Sequence, residues 1–167
     1  MKDFLLRLRG ELAGAGNYPP RLMVATDGPY VAHQRLGLNW ATARAAAENL
    51  HPWMATGYHG QTAMGHLVDG VALGAWEPAL TSVPRAEEAG FAWWASVEGI
   101  MATARPLRPG ERGLLVMVVP ARDNGWAGAV RAGAYLADGV VIAGVGELLR
   151  DAEAFELLAL ALGEPGG

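Results

Sequence analysis

The stretch "LLVMVVPARDNGWAGAVRAGAYLADGVVIA", residues 114–143, decides the fold class. It opens on an unbroken apolar run, breaks at Pro120, offers Arg122, Asp123 and Asn124 in a row, and turns amphipathic after Gly125. A second short apolar run follows Asp138-Gly139. Two such runs, separated by a segment of helix length, read as parallel strands buried on both faces and joined by a crossover helix. The expected elements are a strand over 114–119, a helix over 126–137 and a strand over 139–143.

Outward from this unit, residues 147–162 read as a last helix. Leu148, Ala152, Phe155, Ala159 and Leu162 form one stripe on it, and Gly163 stops it. Upstream, Pro84 suits the first turn of a long helix that runs to Ala104, where Arg105-Pro106 ends it. Asp27-Gly28 lies between "RLMVAT" and "YVAHQRL", and Asp69-Gly70 lies inside "HLVDGVALGAW". Both read as turns of antiparallel hairpins. Asn39 caps a helix that carries Trp40, Ala43, Ala47 and Leu50 on one side and stops before Pro52. Asp3 caps a short first helix with Phe4, Leu5, Leu8 and Leu12 on one face.

These readings combine into a single α/β domain over residues 1–163, with a flexible tail at 164–167. Its sheet is expected to be mixed, with antiparallel hairpins in the N-terminal half and a parallel β-α-β unit plus C-terminal helix in the second half. No internal repeat or low-complexity tract stands out.

Composition narrows the function. The chain has 167 residues, 51% hydrophobic and only 18% charged, so little polar cover is available and burial against another subunit is expected. Cysteine is absent, which removes thiol nucleophiles, iron–sulfur ligation and disulfides. The net charge is -4, with the acidic excess beyond residue 44, and this opposes broad nucleic-acid binding. No segment is long and apolar enough to span a membrane and none has the form of a secretory signal. The expectation is a bacterial cytoplasmic protein, its Arg-over-Lys bias (Lys2 is the sole lysine) reflecting a GC-rich genome.

Familiar catalytic templates are missing. Ser82 and Ser96 are the only serines, and neither lies in a G-x-S-x-G elbow. "GVGELL" lacks the third glycine of a dinucleotide fingerprint, and no GK[ST] occurs. No cofactor is implied. Parallel strands do favour ligands at their carboxyl ends, where helix N-termini point free N–H groups outward. That makes Arg122, Asp123 and Asn124, with the backbone at Gly144 to Gly146, the candidate ligand-binding residues. The plain alternative is that Asp123 or Asn124 caps the following helix.

Three of four histidines, His51, His59 and His66, fall in one stretch with Asp69 close behind. Imidazoles and a carboxylate can hold zinc, so His59, His66 and Asp69 are a candidate metal set, although their spacing matches no compact motif. Asp27, Asp69 and Asp123 could form an acid/base set only if their turns cluster. Trp93 and Trp94 are neighbours on the expected long helix, where successive residues point ~100° apart. One core-facing side cannot absorb both, so they are the candidate homo-oligomer interface, with Gly90 and Gly99 letting a second backbone approach. The preferred expectation is a non-enzymatic domain acting through homo-oligomeric contact and binding of a protein partner or small ligand. The alternative is a metal-assisted hydrolase using His59, His66 and Asp69.

Overall fold

The computed structural model describes residues 2–14, 21–26, 40, 63–108, 111, 113–120 and 125–163. The elements, in order, are α1 (Lys2–Ala13), β1 (Met23–Thr26), β2 (Gly70–Ala75), α2 (Val83–Glu88), α3 (Val97–Ala104), β3 (Gly113–Val118), α4 (Gly125–Leu136), β4 (Gly139–Ile142), α5 (Val145–Leu148) and α6 (Ala152–Gly163). Short 3-10 turns occupy Gly65–Leu67, Trp93–Ala95 and Arg105–Leu107.

The four strands form one sheet in the order β1-β2-β3-β4, and every pairing is parallel. The β3-α4-β4 unit is the one read from residues 114–143. Among the described residues the sheet is not mixed. The strand at Gly70–Ala75 does not fold back on residues 66–68 as a hairpin; it pairs parallel with β1 on one side and β3 on the other. Its composition explains why. GVALGA is apolar or small at every position and buried at every position, as a central parallel strand must be. The proposed partner strand of β1, residues 30–36, lies outside the described residues, as does the helix expected after Asn39, Trp40 excepted.

A strand order that follows the sequence, with crossovers of one hand, puts the connecting helices on one face. Accordingly α3 packs on β2, α4 packs on β3 and β4, and α3 and α4 touch each other. Gly133 of α4 permits the close approach: a Cβ there would meet Val116 and Val140 side-chain atoms at 3.0 Å. Trp40, Trp126, Leu73, Leu114, Val116 and Val118 are fully buried in a cluster that runs from Leu5 to Ala161.

Three helix readings need correction. The long helix over 84–104 is broken into α2, the Trp93–Ala95 turn and α3. Gly90, at φ +78, ends α2, and the Phe91 N–H closes the end by donating to the Ala86 carbonyl at 2.8 Å. Ser96 is no mid-helix residue; its hydroxyl caps α3 by accepting the Gly99 N–H at 3.0 Å. The Ser82 side chain makes no capping bond; the Glu98 carboxylate takes the Val83 N–H instead, at 2.9 Å. The last helix is likewise two, α5 and α6, with Asp151 accepting the N–H groups of Glu153 and Ala154 at the start of α6. The face of α6 that packs inward is Ala154, Leu157, Leu158 and Ala161, while Phe155 and Leu162 of the expected stripe are exposed. In α1 only Leu5 is buried, and Phe4 faces solvent.

One device occurs twice, against the expectation of no repeat. Asp69 and Asp138 each precede a glycine at the start of a strand. The Asp69 carboxylate accepts the Leu22 N–H at 2.8 Å while its own N–H donates to the Leu22 carbonyl at 2.7 Å. The Asp138 carboxylate accepts the Leu114 N–H at 2.8 Å while its N–H donates to the Leu114 carbonyl at 2.8 Å. An arginine meets each carboxylate, Arg9 at 3.4 Å and Arg108 at 3.0 Å. The sequence behind it also repeats: "LVDGVALGA", residues 67–75, against "LADGVVIAG", residues 136–144.

Candidate functional site

An open parallel sheet offers two natural places for chemistry, the carboxyl ends of its strands and its uncovered surfaces. At the carboxyl ends lie Trp76 and Glu77 after β2, Val119 and Pro120 after β3, and Ala143 and Gly144 after β4. Arg122, Asp123 and Asn124 belong between Pro120 and α4 but lie outside the described residues. The strand order never reverses, so the described strands form no topological switch point, the feature that opens a ligand crevice in such sheets. Trp76 is folded back over β2, with its indole across Gly74 on the sheet face away from the helices, and Met23 lies across Gly70.

The proposed metal set is distributed differently. His59 is outside the described residues, and His66 is exposed on the Gly65–Leu67 turn. Asp69 sits at the amino end of β2, away from the carboxyl-end loops, and holds the Leu22 N–H and the Arg9 guanidinium. Arg9 also donates to the Leu67 carbonyl at 2.9 Å, so the group ties α1 to the start of β2. Among the described residues no three His, Asp or Glu side chains come together in a way that could hold a metal ion. Asp27 and Asp123 are outside the described residues, so the acid/base set has only Asp69 placed.

Trp93 and Trp94 emerge most clearly. They sit on the 3-10 turn between α2 and α3, 40% and 38% exposed, beside Phe91, itself exposed. The turn is held firmly from below. The Ser96 hydroxyl donates to the Trp93 carbonyl at 2.8 Å while accepting the Gly99 N–H. Gly99 lies directly under the turn, where a Cβ would fall 2.8 Å from the Trp94 Cα and collide with the Trp93 carbonyl. Gly99 therefore serves a close approach within this chain, in place of the second backbone expected there, and Gly90 serves the left-handed end of α2. Phe91 was missed by the sequence reading. Gly90 and Ser96, six residues apart inside one supposed helix, were the signal that the segment is punctuated. Among the described residues, the buried Trp40 Nε1 has no hydrogen-bond acceptor.

Comparison of the chain with protein-family models, with curated proteins and with solved structures returns no match. No helix among the described residues is long and apolar enough to cross a membrane.

Proposed function

We propose that this chain is a non-enzymatic domain that works by contact, first with copies of itself and then with a protein partner or small ligand. The observation that carries the reading is the aromatic turn. Phe91, Trp93 and Trp94 are presented together at the surface by a backbone fixed through Ser96 and Gly99. Exposed aromatic groups on a rigid backbone suit an interface, because little side-chain freedom is lost when they are covered. A low charged fraction supports the same reading, and a chain without cysteine suits the cytoplasm. A small ligand, if one is bound, is placed by this reading near Arg122, Asp123 and Asn124. The metal-assisted hydrolase would need the Asp69 carboxylate to give up Leu22 and Arg9, and no observation favours it.

The test is sedimentation at micromolar concentration of wild type, Trp93→Glu and Trp94→Glu. The reading expects an oligomeric wild type that at least one glutamate shifts to a smaller species. Unchanged sedimentation of both variants places self-contact elsewhere.

A further inference from the structure

The helix row is longer than the sheet beneath it. α3 lies over β2 and α4 over β3 and β4. α6 packs on α4 and α5 but makes no comparable contact with any strand. Its place in the row is thus beyond β4, with no described strand below it. β4 is the end of the described sheet and, at four residues, is short, which is itself one protection for an edge. Its sequence, GVVI, has no charge, no proline and no bulge within it.

The backbone shows which groups this edge offers. Ala143 donates its N–H to the Val118 carbonyl of β3 at 3.0 Å. Alternation along the strand then turns the polar groups of Gly139 and Val141 toward β3, and those of Val140 and Ile142 outward. Val140 packs its side chain on the helix face, against Gly133, so Val141 points to the opposite face.

We propose that β4 pairs with β4 of a second copy of this chain, antiparallel about a two-fold axis at Val141, giving a continuous eight-stranded sheet with the two α6 helices above the junction. The register is self-consistent. Val140 meets Ile142 of the copy as a hydrogen-bonded pair, Ile142 meets Val140 likewise, and four N–H···O=C bonds form. Val141 meets Val141 as the closer, non-hydrogen-bonded pair, with Cα atoms about 4.5 Å apart. All facing side chains are aliphatic and no like charges are opposed.

Phe155 and Leu162, which share one side of α6 at ~100° per residue, and Leu149 before it are 52–67% exposed. At roughly 100 Å² apiece they amount to about 300 Å² of apolar surface, over a third of the ~800 Å² per partner in a standard interface. Leu160 is on the other flank of α6 and is not counted. The inference concerns a surface separate from the aromatic turn, and it rests on the proposed reading only in that the chain self-associates.

The experiment uses Val141→Lys and Val141→Glu, alone and mixed, by sedimentation, with circular dichroism as the check of folding. Each variant alone should lose a two-fold contact, because it sets like charges across the axis. The equimolar mixture should regain it as a heterodimer. Independently, amide exchange of wild type at two protein concentrations should slow at Val140 and Ile142 only at the higher one. Folded variants that sediment as wild type, or amides at Val140 and Ile142 indifferent to concentration, overturn the proposal. Loss of assembly in Trp94→Glu with none in either Val141 variant gives the self-contact to the aromatic turn instead.

Discussion

Replacing Gly99 by alanine tests the device that presents Trp93 and Trp94. In an ordinary helix interior alanine is better than glycine by about 1 kcal/mol. Gly99 is inside α3, so propensity alone predicts a stabilised protein. The structure predicts the reverse. The added methyl would collide with the Trp93 carbonyl and stand 2.8 Å from the Trp94 Cα, and all of these neighbours are backbone. No rotamer relieves the contact; either α3 or the whole turn must move, and the turn is tied to Ser96 by its hydroxyl. Overpacking of this kind costs about 1–3 kcal/mol, and a rigid backbone neighbour places this site toward the upper end. After subtracting the helix gain, Gly99→Ala should be destabilised by about 1–2 kcal/mol in urea unfolding. Tryptophan emission should shift as the turn moves. A variant as stable as wild type, with the same emission, would refute the close approach and with it the rigid presentation of the indoles.

The two aspartate clamps should differ in cost. Asp69→Ala removes a charge-assisted acceptor from the Leu22 N–H at a part-buried site and should cost about 2–3 kcal/mol in chemical unfolding. Asp138→Ala, at the more exposed carboxylate (44% against 28% for Asp69), should cost about 1 kcal/mol, and equal costs would argue against burial as the cause. Gly74→Ala should push the Trp76 indole off β2 with a stability change under about 1 kcal/mol, since an exposed side chain can swing away. The check is a red-shifted emission that Trp76→Phe abolishes.

The β3-α4-β4 unit was legible because its signals agree: short apolar runs, a helix of the right length and glycine at the crossing. Asp69-Gly70 misled because the same dipeptide serves two purposes. As a turn it joins adjacent antiparallel strands, whereas here the carboxylate bridges to Leu22, a residue 47 positions away. Local chemistry does not report so distant a partner. The match between residues 67–75 and 136–144 was available, and would have assigned to β2 the parallel role already given to β4. In the segment 84–104, apolar periodicity outweighed Gly90 and Ser96, although glycine and serine are the ordinary signs of a helix end and a helix start. The two apolar stripes of α6 could be seen, but not which of them the core takes; that depends on how α4 lies beside it. The exposure of Trp93 and Trp94, though not the contact assigned to them, was legible even on an incorrect helix, since two adjacent indoles resist shared burial on any short segment.

Sedimentation equilibrium of the wild-type chain at micromolar concentration bears most directly on the claim that this protein works by contact. The account predicts a mass at least twice the 17.5 kDa of one chain. A homogeneous 17.5 kDa species across that range would contradict it, leaving both the aromatic turn and the β4 edge without the second copy assigned to them.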